Sequence, residues 1–259
     1  MLSIQRSIPI PRIGLEKLIN YILLVGENPG INCSVIKEKR LDIGKGKGDI
    51  TRFFQRIGLI EVDEKCGVRL TEVGNAVFKA LNEDLTLAKM LLHLVLYREL
   101  PPHYRLLIDL ISEHEPVGVT ELHELANRRI RELSPTAWLN DVAYKALIGL
   151  AIDLEVIEVT NNKVNIRYTA SVSECIRKSI AITNNQKILR MDNLNNCLKQ
   201  LIRNFDIKAS LINNLNNCVE PIVAPPGPIG SRNTYFRVID EDCVVRQVVD
   251  AILRLPIST

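Results

Sequence analysis

"ITRFFQRIGLIEVDEKCGVRLTEVGNAVFKAL", from Ile50 to Leu81, changes its hydrophobic period twice within one short stretch. At its start, Ile50, Phe53, Phe54 and Ile57 fall at the i, i+3, i+4, i+7 spacing of one helix face, and Gly58 is placed to stop the helix. Ile60, Val62, Val68 and Leu70 then alternate with polar residues around a charged turn ending at Gly67, the pattern of a two-stranded hairpin. From Thr71 the helical spacing resumes. The other face of the first helix carries Thr51, Arg52, Gln55 and Arg56, and Asp49 precedes it as a candidate cap.

Upstream, "GLEKLINYILLV" at 14–25 has the apolar stripe of an amphipathic helix, with Leu15, Leu18, Ile19 and Ile22 on one side. The breakers of "GENPG" follow, and "NCSVIKEKRLDIG" at 32–44 reads as a second short helix capped by Asn32 or Ser34. The tract "GKGKGD" at 44–49 looks like a phosphate loop by composition only. A P-loop needs a hydroxyl after its Gly-Lys pair and a buried strand before it. Here Lys47 is followed by Gly48 and Asp49, and a helix precedes, so the tract is read as a basic approach to the third helix.

Three short helices, a hairpin and a further helix follow the order of a winged helix-turn-helix. The junction "FFQRIGLIEVDEKCGVRLTEVGNAVFKAL", with its "GLI" lead into the wing and "LT..G" exit, resembles the winged helix-turn-helix regulators of archaea and bacteria over about residues 12–82. The resemblance implies a recognition helix over 49–58 lying in the major groove of double-stranded DNA. On that reading Arg52, Gln55 and Arg56, with Thr51, contact bases, while Lys45, Lys47 and the wing residue Lys65 meet phosphate.

"DLTLAKMLLHLVLYREL" at 84–100 is apolar on most sides and reads as a buried connecting helix ending at Pro101-Pro102. The order helix, helix, helix, hairpin then repeats, with strands at 156–159 and 164–168, and "GLAIDLEVIEV" parallels "GLIEV". This predicts a second module. Its third helix, about 136–151, is read with Asp141, Tyr144 and Lys145 outside and Trp138, Leu139, Val142, Ala146 and Leu150 towards a core, a poor DNA-reading face. Beyond residue 170, helical patterns at 172–182, 194–205 and 208–219 lead to a Pro-rich loop, a strand and a closing helix at 242–255. A degenerate third winged helix and an α-helical dimerisation region both fit.

The fold class expected is therefore mainly α with small β-hairpin wings: one module at 1–83, a connecting helix and second module at 84–169, and an α-rich region at 170–259. Charge divides along the same lines. Residues 1–82 hold 13 basic and 9 acidic side chains, 83–169 hold 9 and 13, and 170–259 hold 11 and 8. The flanks are the better candidates for polyanion contact, and the acidic middle for scaffold or a protein interface. Lys163 in the second turn, and Arg232 and Arg237 in "GPIGSRNTYFR", are candidate secondary DNA contacts.

No apolar run approaches the length of a membrane span, no secretory leader pattern follows Met1, and a cytoplasmic, nucleoid-associated location is expected. The six cysteines lack the C-x-x-C spacing of metal knuckles. "NLNNCL" at 193–198 recurs as "NLNNCV" at 214–219, a local repeat that leaves pairing of Cys197 with Cys218 open. His93, His103, His114 and His123 have no i, i+4 ligand spacing, and no nucleophile motif such as G-x-S-x-G occurs. The expectation is a DNA-binding transcriptional regulator, not an enzyme, without cofactor or metal. A homodimer or protein partner would be held through 84–169 or the C-terminal helix. The rivals are a winged-helix subunit of a polymerase, replication or membrane-remodelling complex, and the target-recognition part of a DNA-processing system.

Overall fold

A computed structural model of the chain describes residues 14–42, 49–167, 172–201, 215, 217–222 and 235–253. It is mainly helical with small antiparallel sheets and divides after Arg167 into two compact units. Among the described residues no helix is long and apolar enough to cross a membrane.

The N-terminal unit opens with α1 (Leu15–Glu27), β1 (Ile31–Asn32), α2 (Cys33–Glu38), α3 (Ile50–Arg56), β2 (Ile60–Val62), β3 (Gly67–Leu70) and α4 (Glu72–Glu83). Asn32 caps α2 by accepting from the Ser34 N–H, and Asp49 caps α3 by accepting from the Arg52 N–H at 3.0 Å. The helix expected over 32–44 is shorter: α2 stops at Glu38, and Arg40 takes a left-handed φ of 55°. The three strands form a sheet in the order β1-β3-β2.

The "LT..G" motif has a physical reason. The Thr71 hydroxyl donates to the Gly58 carbonyl at 2.6 Å and accepts from the Gly74 N–H at 3.0 Å, so one side chain closes α3 and starts α4. A Cβ on Gly74 would sit 2.0 Å from the Leu59 carbonyl oxygen, so only glycine lets α4 lie this close to the lead into the wing.

α5 (Leu85–Glu99) buries nine of its side chains and runs into one turn of π-helix over Pro101–Arg105. After it come α6 (Leu106–His114), β4 (Val117–Gly118), α7 (Val119–Leu133), α8 (Asp141–Asp153), β5 (Ile157–Thr160) and β6 (Lys163–Ile166), with sheet order β4-β6-β5. Element order and sheet order thus repeat those of the first module. Leu15 and Leu18 of α1, Phe53, Phe54 and Ile57 about α3, Leu92 and Leu96 of α5, and Leu150 and Leu154 about α8 line one apolar interior. The two modules share a core.

The C-terminal unit departs from expectation. The helix expected over 172–182 ends early as α9 (Val172–Ser179), and β7 (Ile180–Thr183) and β8 (Gln186–Arg190) follow as a hairpin about Asn184-Asn185. Both asparagines have positive φ, the two-residue turn chemistry that matches strand twist. α10 (Met191–Leu201), β9 (Val219–Ile222), β10 (Tyr235–Val238) and α11 (Glu241–Leu253) complete a four-stranded antiparallel sheet, order β7-β8-β10-β9. Three helices keep the described part of 170–259 α-rich, and the sheet is the unexpected addition: the alternation of "IAIT" and "QKILR" is short and lies between stronger helical stripes. The helical pattern at 208–219 lies mostly outside the described residues.

All six cysteines pair, as Cys33–Cys66, Cys175–Cys197 and Cys218–Cys243. Cys197 and Cys218 are therefore not joined to each other, although their local sequences match. The first bridge ties the start of α2 to the β2–β3 turn, the second ties α9 to α10, and the third ties the lead into β9 to α11.

Candidate nucleic-acid interface

The candidate surface is built on α3. Ile50, Phe53, Phe54 and Ile57 are buried, and Tyr21 of α1 meets Phe54 edge-on with ring centroids 5.0 Å apart. That packing fixes which side of α3 faces outward. Arg52, Gln55 and Arg56 are exposed there, Arg52 with 87% of its side chain in solvent. Arg52 also lies 3.4 Å from the Asp49 carboxylate, an exposed pair that a phosphate can displace at small cost.

Thr51 is placed differently. It is half-buried, and its hydroxyl accepts from the buried Tyr21 hydroxyl at 2.9 Å, so it anchors α3 to α1 instead of facing outward with the arginines. Burial pushes the Tyr21 phenol up to about 12, which keeps that donor protonated. Lys45 and Lys47 lie outside the described residues. Lys65 is exposed at the wing turn, where the Asp63 carboxylate accepts from the N–H groups of Lys65 and Gly67 at 2.9 and 2.8 Å. One of the two acidic side chains in that turn is thus occupied in shaping it.

Three cations that sequence reasoning passed over stand on and just after α2: Lys37, Lys39 and Arg40 are all exposed. The run "KEKR" was the available signal. Arg56 has a neighbour across the connecting segment: His103, in the π-helical turn, is 6% exposed, and its Nδ1 has no hydrogen-bond partner. Burial, and secondly the positive charge of Arg56, push His103 down to about 4.

The secondary contacts fare unevenly. Lys163 is exposed at the start of β6, beside the tight turn Asn161-Asn162. Arg232 is outside the described residues. Arg237 belongs to β10, an interior strand of the C-terminal sheet and not a loop, and its guanidinium is paired with Glu220 of β9. That pairing removes it as a wing-like arm.

The second module answers the first position by position. α3 closes with Gly58 at φ 70° and the Leu59 N–H donating to the Phe54 carbonyl at 3.0 Å. α8 closes with Glu155 at φ 61° and the Val156 N–H donating to the Ala151 carbonyl at 3.0 Å. Thr71 N–H to Leu59 carbonyl in one module is matched by Arg167 N–H to Val156 carbonyl in the other, both 3.0 Å. Counting back from these ends, Arg52, Gln55 and Arg56 correspond to Gly149, Ile152 and Asp153.

Asp141 and Lys145 of α8 are exposed and Leu139 and Leu150 buried, as expected, but Tyr144 and Val142 exchange places. Tyr144 is buried, its hydroxyl donates to the Val119 carbonyl at 2.6 Å, and its ring stacks on His123 at 4.3 Å. Trp138 and Val142, expected in the core, are 48% and 49% exposed. The lead-in to α8 is held to α7: the Leu139 backbone is bound by both ends of the Asn127 amide. Lys145 pairs with Asp141 one turn earlier, and Arg129 with Glu132, as solvent-facing helix pairs.

Among the described residues, no group of three or more His, Cys, Asp or Glu side chains is placed to hold a metal ion. No family model matches this chain, no curated protein matches it, and no solved structure does.

Proposed function

We propose that the two modules of the N-terminal unit are winged helix-turn-helix modules and that the first binds double-stranded DNA, as a transcriptional regulator acts, without catalysing a reaction. The observation that carries this is the outward face of α3, where Arg52, Gln55 and Arg56 stand exposed against a fully packed opposite face. Arginine and glutamine are the side chains that pair in bidentate fashion with guanine and adenine edges. Lys37, Lys39 and Arg40 add positive charge on the preceding helix, where a duplex backbone would pass.

This reading places the protein beside DNA in the cytoplasm. Three disulfides fit such a location in the intracellular proteins of hyperthermophiles, and elsewhere are a feature of oxidising compartments.

The test is a fluorescence anisotropy titration of the intact, oxidised protein with random and selected duplexes across a salt series. Binding should weaken steeply with salt, and Arg52→Ala with Arg56→Ala should lower affinity for a selected duplex about 10- to 100-fold and narrow its advantage over random duplex. Absence of binding at low salt, or affinity unchanged in the double variant, rejects the assignment.

A further inference from the structure

α8 presents to solvent a face that polar chemistry does not explain. Val142 is 49% exposed and Ile152 40%, Ala146 and Gly149 lie between them half-covered, and Trp138 stands 48% exposed just before the helix. On the other side Ala143, Tyr144, Leu147, Ile148, Leu150 and Ala151 are buried, so the exposed apolar face is additional to the core face. Large apolar side chains gathered on one surface mark an interaction site more often than scattered ones do.

The order of residues along this face names the occupant. Gly149 stands at its centre, and a Cβ added there would meet nothing within 4 Å. Three residues before it is Ala146 and three after is Ile152; four before is Lys145 and four after is Asp153. In an antiparallel helix pair crossing at Gly149, each Ile152 therefore faces the small Ala146 of the other copy, and each Lys145 faces the other's Asp153. Large meets small and positive meets negative twice, as a two-fold axis requires. Lys145 can turn to that partner because its present pair with Asp141 is largely solvated, at 70% and 63% side-chain exposure, and Asp153 accepts on one carboxylate oxygen, Oδ2, from the Leu15 N–H at a long 3.4 Å.

We infer that α8 is a self-association surface, through which two copies of this chain form a symmetric dimer by antiparallel packing across Gly149. The inference does not depend on DNA binding, since it concerns the free protein. One helix face is at the small end of specific interfaces, so the dissociation constant expected is about 1–100 μM.

Sedimentation equilibrium of the full oxidised chain, over about 2–500 μM, tests it. A monomer–dimer equilibrium is expected. Gly149→Arg should weaken it at least tenfold with an unchanged circular dichroism spectrum, because position 149 is open in the monomer. Lys145→Asp should weaken it too, and Lys145→Asp combined with Asp153→Lys should restore it. A monomer throughout the range overturns the inference. So does a dimer indifferent to Gly149→Arg, or a charge exchange that fails to restore association while the variants remain folded.

Discussion

Arg52, Gln55 and Arg56 of the first module stand where Gly149, Ile152 and Asp153 stand in the second, on helices that end in the same hydrogen bonds and the same left-handed residue. Backbone geometry is held constant while the outward chemistry changes from cationic to apolar and acidic. A scaffold therefore does not carry a function by itself, and the side chains it exposes decide what it meets. The wings differ too. Cys33 N–H donates to the Cys66 carbonyl, and the matching Val119 N–H donates to the Asn162 carbonyl, but only the first pair of residues adds a disulfide.

That asymmetry is the largest effect to break. Cys33→Ser with Cys66→Ser reopens a loop of sequence separation 33, which by chain entropy should cost about 3–4 kcal/mol, read as a lowered denaturant midpoint. Linking the second module in the same way, with Val119→Cys and Asn162→Cys, should make the modules alike and raise the midpoint. If it does not, the correspondence of the two wings is inexact.

A pH effect of similar size belongs to the segment joining the modules. His103 titrates at about 4 in the folded chain and at about 6.5 when unfolded, so the unfolded chain takes up the proton first. Its contribution is present at neutral pH and is lost as pH falls from about 6.5 through 4, by at most about 3 kcal/mol. His103→Gln should flatten the stability profile over that window. An unchanged profile would mean that His103 reaches solvent and that Arg56 lies farther from it.

Smaller effects sharpen the comparison. Asp49 and Asn140 cap α3 and α8 by accepting from the N–H groups of Arg52 and Ala143, at 3.0 and 2.8 Å. Asp49→Ala and Asn140→Ala should each cost about 1 kcal/mol in thermal unfolding. Least of all, Glu132→Ala, which removes the exposed partner of Arg129, should change stability by less than about 0.5 kcal/mol.

Much of the first module is legible because its signals are local. Asp49 as a cap, Gly58 as a stop and the alternation on either side of Asp63–Gly67 each depend on a few neighbouring residues, and the structure carries all three. Arg52, Gln55 and Arg56 are legible as an exposed face because four bulky residues demand the opposite one. The face of α8 is only partly so, because Asp141 and Lys145 mark its outer side but periodicity alone does not choose between Tyr144 and Val142. Tyr144 is taken inward by contacts with α7, its hydroxyl donating to the Val119 carbonyl and its ring stacking on His123. The closing helix shows the converse: α11 has an apolar stripe that suggests a dimer interface, but Val244, Val245, Val248 and Val249 are already buried within the C-terminal unit.

The sequence by itself determined the order of helices and hairpins in the two modules and that Arg52, Gln55 and Arg56 are left outside, since capping, turn chemistry and helical period act within a few residues. Tertiary structure alone decided how the cysteines pair, that residues 180–190, 219–222 and 235–238 build a four-stranded sheet, that Thr51 is held by Tyr21, and that Tyr144 faces inward. Those outcomes rest on contacts between residues far apart in the chain, and the nearest neighbours of a residue carry no record of them.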